Sequence, residues 1–215
     1  ATLLAASLDD VVLDRMRGPF TSLDAVLREL QTDKCAVSRR FGVEQDDKVR
    51  PCDDAKRSHV NRATYCSRKL KLSTLDDFAN QCAYVRRVFG TGAVLRFWKR
   101  DHGSAYRQVA LEPDARKLAV VVFCHPETQK PVYFYHVALP FGFVASVIGY
   151  NRISQAISFL MRELFAIPVD NYFDDFWCVS IHEDQLSSFL TFREFNELLG
   201  FDVKIKKDYP GFGNE

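Results

Sequence analysis

At 215 residues the chain is long enough to bury a substantial core, as one large domain or two small lobes. Its 47% hydrophobic and 27% charged residues are ordinary for a globular protein, and no apolar run approaches the roughly 20 residues of a membrane span. A net charge of +1 neither requires nor excludes a nucleic-acid partner, because the distribution of charge matters more than its sum.

That distribution is uneven. Between Lys34 and Lys71 stand Lys34, Arg39, Arg40, Lys48, Arg50, Lys56, Arg57, Arg62, Arg68, Lys69 and Lys71, against Glu44, Asp46, Asp47, Asp53 and Asp54. The last quarter is acidic by contrast. A basic front half suits a polyanion and carboxylates behind it suit cations, although a charge-mixed solvated surface has the same composition. Cys35, Cys52, Cys66, Cys82, Cys124 and Cys178 form no close-spaced pair, and the five histidines are equally dispersed. Neither set has the spacing of a zinc site or a disulfide framework. Reduced thiols and the lack of a secretory signal point to an intracellular protein of cytoplasm or nucleus. A first residue of Ala1 rather than Met suggests an excised fragment or a processed product.

In chain order, residues 1–33 predict one or two short amphipathic helices, broken at Gly18-Pro19, with Leu23, Val26, Leu27 and Leu30 at helical spacing. From Lys34 to Asn61 the pattern is charged, irregular and loop-like. Ser73-Thr-Leu-Asp76 has the capping-box form and opens a helix to about Phe89, which Gly90 and Gly92 end. A strand from Ala93 to Lys99 leads into Asp101. Leu118–Cys124 and Pro131–Ala138 predict a hairpin. A long helix follows Gly142 as far as about Phe165. Val169–Tyr172 and Phe176–Ile181 predict short strands flanking Asp174-Asp175, and Glu183–Leu199 a helix capped by Gly200. Lys204 to Lys207 reads as a basic strand or loop. The expected fold class is α+β, a mostly antiparallel sheet with helices on one face.

The chain contains five Asp-Asp pairs, so such a pair is uninformative by itself. Four lie in polar or helix-start contexts, where solvation or capping explains them. Asp174-Asp175 instead sits between Tyr172-Phe173 and Phe176-Trp177. Carboxylates within a strand-forming aromatic stretch need a compensating cation, and a divalent metal supplies it; a plain β-turn is the competing reading. Asp101 ends the apolar strand Leu95-Arg-Phe-Trp98. A strand-end aspartate with hairpin aspartates suits two-metal phosphoryl transfer, in which the attacking and leaving oxygens are both clamped.

Tyr172-Phe173-Asp174-Asp175 resembles the Y-x-D-D motif of reverse transcriptases. Asp101-His-Gly-Ser-Ala-Tyr106 resembles their preceding aspartate motif, and Leu139-Pro-Phe-Gly142 with Ala145-Ser146 the loop beside template base and incoming nucleotide. Lys48-Val-Arg50-Pro-Cys-Asp53-Asp54, with Ser58 and Asn61, is similar to the fingers segment that handles the triphosphate. Leu199-Gly200-Phe201 with Lys206-Lys207 is similar to the later lysine motif. The five occur in the family's order over residues 40–210. Phe141 after Leu-Pro, together with Lys48-Val-Arg-Pro and Ser-Ala-Tyr-Arg-Gln, points to long-terminal-repeat-like or tyrosine-recombinase retrotransposons.

The resemblance implies fingers at 34–92 and 119–141, palm at 93–118 and 142–215, and an N-terminal helical segment at 1–33. It implies two Mg2+ ions, with Mn2+ able to replace them, on Asp101, Asp174, Asp175 and the backbone carbonyl of His102. It assigns the nucleotide to Lys48, Arg50, Tyr106, Phe141, Gly142, Phe173, Lys206 and Lys207. Tyr106 would sit under the sugar and exclude a 2′-hydroxyl, and Arg50 would contact the triphosphate. The implied partners are deoxynucleotides and a primer on an RNA or DNA template, with no membrane. The thumb, absent from this chain, and a ribonuclease H domain would lie downstream in the same polyprotein, so the fragment alone is expected to bind primer–template weakly. Each residue has a bland alternative: core packing for Tyr106, surface solvation for Arg50, a helix-start glycine at 142, and helix-end charge at Lys206 and Lys207. An RNA-dependent RNA polymerase and a domesticated, binding-only relic remain competing functions.

Overall fold

The computed structural model describes residues 2–45, 48–67 and 69–204. Along the chain run α1 (Thr2–Val12), β1 (Met16–Phe20), α2 (Leu23–Glu29), β2 (Val37–Gln45), β3 (Lys48–Asp53), α3 (Val60–Ala63), α4 (Leu75–Phe89) and β4 (Leu95–Asp101). Two 3₁₀ turns, Ala105–Gln108 and Pro113–Leu118, lead to β5 (Val120–Cys124) and β6 (Pro131–His136). Then come α5 (Val144–Phe165), β7 (Asp170–Tyr172), β8 (Asp175–Ile181) and α6 (Gln185–Leu198). The protein is α+β. It divides into two compact units, Ala1–Ser67 with Tyr106–Val147 and Arg68–Ala105 with Ile148–Glu215. Among the described residues no helix is long and apolar enough to cross a membrane.

The first unit is built on a five-stranded sheet in the order β1-β6-β5-β2-β3. Successive side chains of a strand point to opposite faces, so both faces of β5 and β6 are apolar and both are covered. On one side Leu3, Leu4 and Val11 of α1 pack on Val121, Phe123, Val132 and Phe134. On the other, Val26 of α2 packs with Val120, Tyr135 and Val137. The predicted β5–β6 hairpin forms, antiparallel with Val120 opposite Tyr135.

Two expectations fail here. Residues 34–61 are not loop-like: β2 and β3 form an antiparallel hairpin with Arg40 opposite Asp53. The strand pattern is hidden because Arg40, a charge, points inward and is 4% exposed, neutralised by acids distant in sequence. Residues 1–33 are not wholly helical either, since Met16–Phe20 is a strand paired with β6. Gly18-Pro19 does not merely break a helix; it lies within that strand. Proline is tolerated where no ladder donor is needed, and the sheet's two edge strands are the ones that contain Pro19 and Pro51. The sheet is mixed: its other pairings are antiparallel, and β2 runs parallel to β5.

The second unit has a three-stranded antiparallel sheet in the order β4-β8-β7. One face buries Trp98, Phe176 and Cys178 under Ile157 and Met161 of α5 and Phe189, Phe192 and Phe195 of α6. The opposite face packs Trp177 and Val179 against Val85 and Cys82 of α4, with Phe78 set 5.7 Å from Phe97 and 5.6 Å from Trp177. Helices therefore cover both faces, not one. β8 is central and buried on each side, which is why it reads as a continuous apolar run rather than an alternating one. β7 is only three residues long, so the N–H of Val179 lies beyond its reach; Gln81 of α4 accepts that hydrogen bond at 2.6 Å. The capping box of α4 starts at Thr74, paired with Asp77, one residue later than the sequence pattern indicated. Ser73 is drawn away to donate to the carbonyl of Asn171 at 2.9 Å.

Candidate active site

In the second unit the antiparallel register of β4 and β8 places Asp101 opposite Asp175. Tyr172 also faces Asp175 across the β7–β8 hairpin, leaving Phe173 and Asp174 as a two-residue loop. The His102 N–H donates to the Asp174 carbonyl at 3.2 Å and ties that loop to the end of β4. All three aspartates thus gather at one end of the sheet. The carboxyls of Asp101 and Asp174 come within hydrogen-bonding reach, and Asp101 is 3% exposed. Burial pushes the pKa of Asp174 up, and the nearby charges of Asp101 and Asp175 add to the rise. Asp175 is turned to Lys99, whose Nζ lies 2.9 Å away, and Lys204 stands 3.7 Å from Asp101.

Among the described residues, no three or more His, Cys, Asp and Glu side chains close on one point as a cation cage. The convergent pair is Asp101 and Asp174, with Asp175 held aside by an ammonium group. Two hard carboxylates set close together, with the charge on Asp174 opposed by burial and by its neighbours, are a donor set a divalent cation would relieve. Mg2+ commonly takes one or two protein carboxylates and fills its remaining positions with water and phosphate oxygens.

Apart from His102, the supporting residues are ones the sequence did not single out. The buried ring of His102 donates from Nε2 to the Asn196 side-chain oxygen and accepts from the Tyr150 hydroxyl at Nδ1, both at 2.8 Å. It also lies flat against Phe201 at 5.2 Å. Burial holds its pKa below the usual imidazole value, so the ring is neutral and structural. Its expected metal contact is left to the backbone carbonyl. Asn171 is buried and donates from Nδ2 to the Phe173 carbonyl at 3.2 Å, while Ser158 of α5 donates to its Oδ1. Isolated polar residues inside apolar stretches were the only available signal for Tyr150, Ser158, Asn171 and Asn196. Lys99 could have been found, since two residues before Asp101 on a strand is the same face.

Phe173 opens the hairpin loop at φ 54°. Both two-residue turns that match strand twist require positive φ at this position, where glycine is favoured. A phenylalanine held there is strained by about 1–3 kcal/mol. Phe173→Gly should therefore leave thermal stability unchanged or raise it by up to about 1 kcal/mol, even though glycine loses more chain entropy and the ring contact with Tyr172 at 4.9 Å is removed. A loss above about 1 kcal/mol in thermal denaturation would refute stored strain at this turn.

The nucleotide-handling residues expected from the sequence lie in the first unit, apart from Phe173 and the two lysines. Tyr106 and Phe141 meet with ring centroids 5.2 Å apart. Arg50 is exposed on edge strand β3, which begins at Lys48. Gly142 has φ 89°, and a Cβ there would lie 2.6 Å from the Asp53 carbonyl oxygen. Its close approach is thus to the protein's own backbone, a structural demand separate from any ligand. Asn61 secures the same turn, donating to the Gly142 carbonyl and accepting from the Val144 N–H, each at 2.9 Å. Lys206 and Lys207 lie outside the described residues. No protein-family model matches the chain, and no curated protein matches it.

Proposed function

We propose that the chain is the fingers-and-palm part of an RNA-directed DNA polymerase from a retroelement polyprotein, adding deoxynucleotides to a primer 3′-hydroxyl. The observation that carries this reading is the meeting of Asp101 and Asp174, with Asp175 beside them, at the turn of an aromatic hairpin. In this reading the second unit carries the palm aspartates and the first most of the fingers, although residues 68–92, expected in the fingers, belong to the second unit and residues 106–118, expected in the palm, to the first. Asp101 and Asp174 would hold Mg2+, and Asp175 would contribute less directly. When bound, the metal would supply charge neutralisation for in-line phosphoryl transfer. The chain's own residues do the positioning. Asn171 and His102 hold the loop and strand that present the carboxylates, while Lys99 and Lys204 balance their charge. Arg50 and Lys48 suit a triphosphate as cationic donors. Tyr106, backed by Phe141, suits the exclusion of a ribose 2′-hydroxyl.

The test is primer extension on an RNA template with deoxynucleotides, run with and without Mg2+, beside calorimetric titration of Mg2+ into the protein alone. Metal-dependent extension with measurable Mg2+ uptake is the expected result. Tight primer–template binding with neither uptake nor extension would replace the polymerase with a binding-only relic. Equal use of ribonucleotides would move the assignment to an RNA polymerase.

A further inference from the structure

Four ionisable side chains, Arg40, Asp53, Arg107 and His136, are buried together in the first unit, with the partly exposed Asp10 beside them. Arg40 of β2 reaches Asp10 of α1 at 3.5 Å and Asp53 of β3 at 3.8 Å. Arg107, from the 3₁₀ turn Ala105–Gln108, reaches Asp10 at 3.0 Å and lies 2.8 Å from Nδ1 of His136. His136 donates from Nε2 to Asp53 at 2.9 Å. A ring nitrogen that faces a guanidinium must accept, so His136 is neutral and two arginines balance two aspartates. Clusters of this kind are poor devices for stability alone, since apolar replacements of similar volume are often as stable; one attested use is to specify a single arrangement.

The arrangement specified here has a recognisable output. Arg107 is the residue after Tyr106, in the same 3₁₀ turn. Asp53 presses its carbonyl against Gly142, the residue after Phe141. Each ring of the Tyr106–Phe141 pair is therefore one residue from a point fixed by the cluster. We infer that Asp53, His136 and Arg107, with Asp10 and Arg40 behind them, are positioning residues that set Tyr106 against Phe141 as a platform for the nucleotide sugar. The inference rests on the polymerase reading for what the platform meets. It adds that deoxy-over-ribo selection is controlled from residues that touch no nucleotide.

The experiment has two readouts. One is the ratio of deoxy- to ribonucleotide kcat/KM; the other, independent of activity, is the set of ring-to-ring nuclear Overhauser effects between Tyr106 and Phe141. His136→Leu, which can neither donate to Asp53 nor accept from Arg107, should weaken those effects and lower the ratio by about tenfold or more. His136→Gln, whose amide can make both bonds, should restore most of each. A folded His136→Leu protein with wild-type ring contacts and ratio would overturn the assignment. If His136→Leu fails to fold, Arg107→Lys decides in the same way, because one ammonium cannot reproduce the guanidinium bridge between Asp10 and His136. Ring contacts that respond as expected in a protein that binds primer–template tightly yet incorporates no nucleotide would refute the polymerase reading and leave the positioning role standing.

Discussion

Asp174→Asn is expected to lower Mg2+-dependent nucleotide addition on the order of 10²–10³-fold while making the metal-free protein more stable. The two effects have one cause. Asp174 is half-buried beside Asp101 and Asp175, and burial and like charge both oppose its ionisation. A carboxyl whose pKa is raised by folding costs stability at neutral pH and regains it as the pH falls through the folded value. Removing that charge should raise the melting temperature of the metal-free protein. Mg2+ should reverse the ranking. At about 100 times its dissociation constant it stabilises a binding protein by about 2.7 kcal/mol, and the variant should gain far less. Thermal melts of both proteins with and without Mg2+ provide the check. A variant that melts lower than wild type in the absence of metal would show that Asp174 is an ordinary structural carboxylate.

Asp53→Ala should destabilise the first unit by about 3–5 kcal/mol, because it leaves Arg40 with half its compensation and His136 without its acceptor. That is a large share of the 5–15 kcal/mol typical of a folded domain. The pH dependence follows from the same contacts. Burial depresses the pKa of His136, with Arg107 and Arg40 adding to the effect and Asp53 opposing it without reversing it. The unfolded chain therefore takes up that proton first, and stability declines as the pH falls below about 6.5. Burial pulls Asp53 upward, but the His136 hydrogen bond and the charges of Arg40 and Arg107 bring it below its ordinary value. Its contribution is thus complete above about pH 4 and is lost below. Urea titrations across pH should show both declines in the wild type, whereas Asp53→Ala should lose the one below about pH 4 and keep the one below about pH 6.5, because the contact that opposed the depression of His136 is gone. A loss below about 1 kcal/mol at pH 7 would mean that the cluster is only weakly coupled to folding.

The elements visible in the sequence were those whose local chemistry agrees with their place in the fold. α4 has its cap and apolar stripe, the β5–β6 hairpin its β-branched run, and α5 its length, so each forms close to where residue pattern alone sets it. The strands that escaped notice contain residues whose charge or ring contradicts their setting. Arg40 faces inward on β2, and Pro19 and Pro51 stand in strands that tolerate them only as edges. No local pattern can reveal a partner such as Asp10, thirty positions away, or an edge defined by the strands that are missing beside it.

The candidate site divides along the same line. That aspartates end a strand and open an aromatic hairpin was written in the residues around 101 and 174, because adjacency and strand alternation are properties of the chain. That Asp101 and Asp174 meet while Asp175 turns to Lys99 was decided by register, and so was the approach of Lys204. The same holds for His102, which the sequence offers as a neighbour of the metal and the tertiary structure makes a neutral core residue between Tyr150 and Asn196. Sequence determines which groups are available and how they are spaced along each element. Only the folded structure decides which charges share a buried volume, because electrostatic and packing energies depend on separations in space.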